Sequence, residues 1–241
     1  MKIVISQPMF FPWVGFLEQI RLADVYVYYD DVQFSKGSFT NRVQIKTPDG
    51  FTWLTVPLHN LKLGQKIMEV QIDNSKDWRS RHQELLTRQY ATAPFVKDML
   101  DIVRRVYEIK TDMLIDLTIG SMKEVLEYYS MLANVQFIFS SKMKIPGQGS
   151  SRVLEIVKSL GGTEYITGHG AKNYLQHENF EVQGIRVEYV KYKKKEYPQL
   201  HGAFNPYVSA LDLIANVGHA GAAMICSETL YWKEFLANEQ N

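Results

Sequence analysis

The chain has little of what would assign it to several large functional classes. Its single cysteine, Cys226, cannot form an internal disulfide and leaves no cysteine-based zinc cage. A reducing cytoplasm is therefore the expected compartment. Charge excess is also missing: 27 basic and 26 acidic side chains in 241 residues leave a net charge of +1. A dedicated polyanion binder concentrates a strong basic excess on one face, so no nucleic-acid partner is expected. Long apolar runs are absent. The most hydrophobic stretch, Leu211 to Trp232, is broken by Asp212, Asn216, His219 and Glu228, whereas a membrane span needs about 20 nearly uninterrupted apolar residues. Ile3-Val4-Ile5 is too short for a signal peptide and precedes no small-residue cleavage site, so the N-terminus is expected to belong to the fold. There is no glycine-rich phosphate loop, which argues against a standard dinucleotide fold and a Walker P-loop. There is no Gly-x-Ser-x-Gly elbow either. The six histidines, His59, His82, His169, His177, His201 and His219, lack metal-ligand spacing on a helix face, so no zinc site is expected.

What is present reads as a globular chain, 46% of it apolar. A chain of this length can bury roughly 70 to 75% of the surface it exposes when unfolded. Ile3 to Ser6, a Pro-containing loop, Gly15 to Leu22 and Val25 to Tyr29 predict a βαβ unit with a buried parallel pair. Arg42 to Lys46 and Thr52 to Val56, joined through Pro48-Asp49-Gly50, predict a hairpin, and Met68 to Ile72 a further strand. From Trp78 to about Leu132, apolar residues recur at spacings of three and four, which predicts several helices. Strands are then expected at Phe137 to Ser141, Glu164 to Thr167 and Ile185 to Tyr192. Helices are expected at Ser150 to Leu160, Ala171 to Leu175, Ser209 to Val217 and Ser227 to Leu236. The expected fold is α/β, a mostly parallel Rossmann-like sheet with an inserted or appended helical region. Residues 1–77 form the N-terminal part of that core, 78–135 the helical region and 136–241 the C-terminal part, all able to be one domain.

Four clusters can carry chemistry. Gln7-Pro8-Met9-Phe10-Phe11-Pro12-Trp13-Val14-Gly15 follows the first strand, where open α/β sheets bind ligands. Its prolines fix the loop and its aromatics can wall a pocket, or Phe10 and Phe11 can simply pack into the core. Gly15 opens a helix whose amides can face an anion. Asp30-Asp31, with Gln33, Lys36, Asn41, Arg42 and Lys46, ends the second strand. Its carboxylates can hold a divalent metal or act as base, and its cations can clamp a phosphate. The alternative is a polar turn of solvated charges. Gly168-His169-Gly170 precedes Lys172 and Tyr174; His169 is either a general acid or base or an exposed residue of a glycine-supported turn. Tyr197-Pro198-Gln199 and Phe204-Asn205-Pro206-Tyr207 form a fourth loop, with Ser209 as N-cap and Asp212 as its capping-box acid. Lys193-Lys194-Lys195 reads as a solvated loop.

The order of these segments resembles the WbqC-like proteins. The likeness runs through Gln7-Pro8, Phe11-Pro12-Trp13, Gly15, Ala23-Asp24, Asp30-Asp31-Val32-Gln33-Phe34, Asn41-Arg42 and Trp53-Leu54-Thr55-Val56-Pro57. It continues through Tyr165-Ile166, Gly168, Lys172 to Leu175, Tyr197, Gln199, Phe204 and Ser209, and so spans nearly the whole chain. The resemblance implies a place in bacterial surface-polysaccharide (O-antigen, lipopolysaccharide) biosynthesis and in the assembly of modified amino sugars. A weaker likeness, in the order of strand, Pro-rich loop, helix and strand, is to adenylate-forming amide ligases of the pantothenate synthetase kind, which implies ATP with Mg as cofactors. The His-x-Gly-His signature of those enzymes is absent; Pro12-Trp13-Val14-Gly15 stands in its place.

The expected function is therefore aminoacyl or acyl transfer, forming an amide on a nucleotide-linked amino sugar. The alternative is a noncatalytic sugar- or partner-binding protein of the same pathway, and a homo-oligomer is compatible with either. The catalytic candidates are Asp30, Asp31, Lys36, Arg42 and His169. The substrate-binding candidates are Gln7, Phe11, Trp13, Gln33, Asn41, Lys46, Gly168, Lys172, Tyr174, Tyr197 and Gln199. An enzyme with one site requires the Gln7 to Gly15 loop, the Asp30 to Lys46 segment and the Gly168 to Lys172 turn to surround one cleft.

Overall fold

In the computed structural model, which describes residues 1–239, the β-branched opening run forms β1 (Lys2–Ser6). A Pro-rich loop leads into α1 (Val14–Arg21), and β2 (Val25–Tyr28) returns parallel to β1. Alternate residues serve opposite faces of the sheet. Val4, Tyr26 and Tyr28 enter one core and Ile3, Ile5, Val25 and Val27 the other. Burial on both faces is why these strands read as unbroken apolar runs.

A long excursion follows β2. It contains the antiparallel hairpin β3 (Arg42–Thr47) and β4 (Gly50–Thr55), then the short pair β5 (Leu58–His59) and β6 (Gln71–Ile72). Three helices complete it: α2 (Trp78–Gln89), α3 (Val96–Tyr107) and α4 (Leu114–Tyr128). On α3, Met99, Ile102, Val103 and Val106 form the expected buried stripe. The chain rejoins the sheet as β7 (Gln136–Phe139) beside β2 and turns through α5 (Ser140–Met143) and α6 (Gly149–Ser159). It continues as β8 (Glu164–Thr167), α7 (His177–Val182), β9 (Arg186–Lys191), α8 (Ala210–Val217), β10 (Glu228–Tyr231) and α9 (Trp232–Glu239).

The strand order in the central sheet is β10-β9-β8-β1-β2-β7, parallel except for β10. The fold is thus the expected α/β class, with its helical region set in the β2 to β7 crossover. The chain winds to one side through β2 and β7 and to the other through β8 and β9. The connections after β1 and β8 therefore diverge and leave a crevice at the carboxyl ends of these strands.

Three local expectations are corrected. Ser227 to Leu236 is not one helix: Glu228–Tyr231 pairs antiparallel with β9 before α9 begins, because the open sheet edge offers hydrogen bonds that local sequence does not reveal. Of Met68 to Ile72 only Gln71–Ile72 is strand, and Ile67–Glu69 is a 3₁₀ turn. The expected helix after Gly170 is a 3₁₀ turn, His169–Asn173. Among the described residues, no helix is long and apolar enough to cross a membrane.

Candidate functional site

The loop after β1 is shaped by a strained residue. Phe11 has φ +39°, in the left-handed region, although it is bulky and fully buried. Such a conformation costs about 1 to 3 kcal/mol and persists where neighbours over-determine it. Here the Phe11 N–H donates to Ser121 Oγ (2.9 Å) and Ser209 Oγ donates to the Phe11 carbonyl (2.8 Å). The Ala210 N–H donates to the Pro12 carbonyl at 2.8 Å. The reversal sends Phe10 and Phe11 into the core and returns Trp13 to the crevice. The Trp13 indole lies against the first turn of α1, where a Cβ on Gly15 would sit 2.2 Å from the ring. Gly15 thus makes room for the indole, and the amino end of α1 carries that ring.

At the switch point lies a cleft of about 1070 Å³. Ser6, Gln7, Pro8 and Trp13 line it from the β1 side, and Tyr29, Asp31 and Gln33 from the end of β2. Ser38, Phe39 and Thr40 form a lip. The start of α6 contributes Gly147, Gln148, Gly149 and Arg152, and the turn after β8 contributes Gly168, His169 and Gly170. The three segments expected to meet therefore surround one cleft, which brings together Gln7, Trp13, Asp31, Gln33, Gly168, His169 and Tyr174. The carboxamides of Gln7, Gln19, Gln33 and Gln148 line it without a side-chain partner among the described residues. Such groups donate and accept at once and suit hydroxyl or amide ligands.

The charge in the cleft is largely internal. Asp31 accepts from Arg152 Nη2 at 2.5 Å, and Arg152 Nε donates to the Ile145 carbonyl at 3.0 Å. Burial pushes the Asp31 carboxyl up, but hydrogen bonds from Arg152 and Ser140 and the guanidinium charge outweigh it and hold Asp31 below the usual carboxylate range. Asp30 is buried, and its oxygens accept from the Ser141 N–H (3.0 Å) and the Ser141 hydroxyl (2.6 Å). The Ser140 hydroxyl lies 3.0 Å from Asp30 Oδ1 and 2.5 Å from Asp31 Oδ1. Asp30 thereby ties the end of β2 to the start of α5. Among the described residues no three His, Cys, Asp or Glu converge on a metal position. Magnesium needs carboxylate or phosphate oxygens with room for its waters. The engaged carboxylates do not fit that need.

Aromatic rings build the opposite wall. Trp13 lies 5.1 Å from the Tyr192 ring and 5.7 Å from the Tyr207 ring, centroid to centroid. Lys194 Nζ donates to Tyr207 Oη at 2.7 Å and sits 4.9 Å from that ring's centroid. Phe39, Tyr174 and Tyr207 on the rim are 38%, 49% and 49% exposed, unusual for large aromatics. Tyr192 explains Gly168: a Cβ there would lie 3.1 Å from the Tyr192 hydroxyl. Burial pushes the Tyr29 and Tyr192 hydroxyls up, so both remain donors. His169 Nε2 lies 2.8 Å from the Val190 carbonyl. A carbonyl only accepts, so Nε2 carries the proton and the lone pair of the neutral ring is on Nδ1.

The remaining candidates lie outside the cleft lining. Phe11 is core. Lys36 and Lys172 are exposed. Asn41 Nδ2 donates to the Val56 carbonyl at 2.9 Å. Arg42 Nε and Nη2 donate to the Gly37 carbonyl (3.0 and 2.6 Å), with the guanidinium 4.1 Å from the Trp53 ring centroid. Lys46 is buried and its Nζ donates to the Gly202 and Ala203 carbonyls. Of the three cations expected to clamp a phosphate, Arg42 and Lys46 are thus engaged by backbone carbonyls in separate places, and none of the three lines the cleft.

Lys46, Tyr197 and Gln199 belong instead to a buried polar cluster around Asp212. Tyr90 Oη donates to Asp212 Oδ2 at 2.8 Å and accepts the Lys46 N–H at 3.2 Å, while Asp212 Oδ1 is buried without a partner and the Gln199 side chain pairs with the Asn205 backbone (2.8 and 3.1 Å). Burial raises the Asp212 pKa despite the Tyr90 hydrogen bond. Asp212 therefore does not close a capping box, although Ser209 does accept the Leu211 N–H (3.1 Å) as N-cap.

Sequence reasoning missed Arg152, Gln148, Gln19, Tyr192 and Lys194. Lys194 had a signal, since its basic run directly follows β9 at the carboxyl edge of the sheet.

A family model of the WbqC-like proteins matches residues 7–224. An uncharacterized protein of Mycobacterium tuberculosis (strain ATCC 25618 / H37Rv), Rv1507c, is 31% identical over 223 residues, covering 90% of this chain and 94% of the relative. No solved structure matches. The chain belongs to the WbqC-like protein family.

Proposed function

We propose, from membership in this family, that the cleft binds an amino sugar and supports transfer of an acyl or aminoacyl group to its amine in surface-polysaccharide assembly. The nucleotide-linked form is the one that the family resemblance implies. The observation that carries the reading is the convergence of three sequence-distant loops on one cleft at the switch point, with His169 held in a single tautomer beside the aromatic wall. The carboxamides and Tyr29 match ring hydroxyls, and Trp13 with Tyr207 offers apolar faces to a sugar or base. The amino end of α6, at Gly149, opens on the cleft and favours a phosphate.

In the proposed step the neutral amine attacks the carbonyl of an acyl donor activated elsewhere, such as a thioester. A C–N bond forms, the C–S bond breaks, and the thiolate leaves with its electron pair. His169 Nδ1 takes the amine proton. Mass spectrometry of nucleotide-linked amino sugars incubated with protein and thioester donors tests this. The expected result is an amide-mass product that is lost in His169→Gln protein, and sugar recovered unmodified with every donor would reject transfer.

A second reading, a sugar-binding protein without turnover, is favoured by one observation. Both carboxylates at the end of β2 are engaged by protein donors, which leaves the cleft without a free acid. Tight binding without product would select it.

A further inference from the structure

The cleft does not end at its lip. Phe39 lines it and also contacts Trp53 on β4 (ring centroids 5.7 Å), and Trp53 in turn meets Phe51 edge-on at 6.3 Å. Phe51 and Trp53 are two residues apart and so share one hairpin face. Directly opposite residues of an antiparallel pair also share a face, which places Gln44 beside Trp53, Arg42 beside Thr55 and the buried Lys46 beside Phe51. The reverse face sends Val43, Ile45 and Leu54 into the core. Phe51, at 50% exposed, is thus an outward aromatic at the far end of a continuous run that begins inside the cleft.

The run has a polar frame. Arg42 holds the guanidinium over Trp53 while its Nε and Nη2 fix the Gly37 carbonyl of the lip. Gln44 and Thr55 flank it. Rings framed by carboxamide, hydroxyl and guanidinium, and continuous with the cleft, match an elongated ligand with apolar ring faces and hydroxyl edges. Arg42 and Lys46, the cations of this hairpin face, already donate to backbone carbonyls, which disfavours a diphosphate in this direction.

We infer that Phe39, Trp53 and Phe51 are outer subsites for a glycan. On this account the amine-bearing sugar in the cleft is the terminal unit of an oligosaccharide. The inference rests on the proposed amino-sugar cleft and extends it to an acceptor in which the amine-bearing sugar ends a glycan in place of the nucleotide-linked form.

The test measures calorimetric affinity for glucosamine and for its linear tetramers in β-1,4, β-1,3 and β-1,6 linkage. Each added stacking ring contributes up to about tenfold. At least one tetramer is expected to bind about tenfold more tightly than the monomer. Phe51→Ala, at an exposed position, should lose part of that gain and Phe51→Ala/Trp53→Ala all of it, with monomer affinity unchanged. Monomer binding that is lost in Trp13→Ala, with no length gain for any tetramer, would overturn the outer subsites alone. Absence of binding by monomer and tetramers alike would overturn the cleft reading with them. A dimer in solution that Phe51→Ala dissolves would assign the run to self-association and overturn the glycan proposal.

Discussion

Lysine, tyrosine, glutamine and aspartate furnish both the cleft and the cluster around Asp212, and the two regions use them in opposite ways. In the cluster, Lys46 donates to two carbonyls and Tyr90 links the Lys46 N–H to the Asp212 carboxyl, so polar groups engage one another and fix the β3 hairpin to α8. In the cleft one ion pair, Asp31–Arg152, is closed, while the Gln7, Gln19, Gln33 and Gln148 carboxamides and His169 Nδ1 have no hydrogen-bond partner among the described residues and the rim aromatics are exposed. The difference teaches that residue type does not separate a binding site from a structural brace; what separates them is whether most donors and acceptors are already engaged inside the protein, Asp212 Oδ1 being the exception in the cluster.

Substitutions on either side should therefore have opposite readouts. His169→Gln is expected to lower transfer by about 100-fold or more while leaving the melting temperature unchanged, checked by product assay and calorimetry. Lys46→Met leaves Asp212 without its nearby cation and should cost about 3 kcal/mol in urea unfolding, with amino-sugar affinity intact. An affinity loss in Lys46→Met equal to that in a cleft variant would break the distinction.

Titration sharpens it. His82, buried against Tyr107 in the helical region, has its pKa pushed down by burial to about 4. Its unfolded form binds a proton first, so its contribution is present above the ordinary 6.5 and is lost as pH falls toward 4, about 3 kcal/mol in all. Urea unfolding from pH 7 to 4 should show that loss, and His82→Phe should flatten it. The two aspartates should differ in sign. Asp31 is held low, so its stabilisation is present above the ordinary 3.8 and lost as pH falls further. Asp212 is held high, so its protonated form suits the fold below 3.8 and stability is lost as pH rises through its folded pKa. Carboxyl NMR titration checks both directions. The smallest effect is Tyr207→Ala, expected to weaken ligand binding by about 1 kcal/mol without altering stability.

Most of the sheet was legible because buried parallel strands must be apolar on both faces, as in Ile3-Val4-Ile5 and Val25-Tyr26-Val27. β10 was not, since its pairing depends on the β9 edge rather than on local pattern. In the cleft, Gln7, Trp13, Gly168 and His169 were visible as unusual residues at strand ends. Arg152 was not: it sits inside an amphipathic helix like any surface charge, and its partner Asp31 is 121 residues away. Lys46 shares a strand face with Arg42, as its spacing implies, but the face alone does not say that its long side chain ends on the Gly202 and Ala203 carbonyls. Sequence spacing sets which side a residue takes, and distant partners set whether its polar atoms remain available.

The central claim is that the switch-point cleft holds an amino sugar with its amine at His169. A crystal structure grown with a nucleotide-linked 2-amino-2-deoxyhexose tests it most directly. The sugar ring is expected against Trp13, with its nitrogen within hydrogen-bond reach of His169 Nδ1. A sugar bound elsewhere on the protein, with the cleft unfilled at saturating ligand, would contradict it.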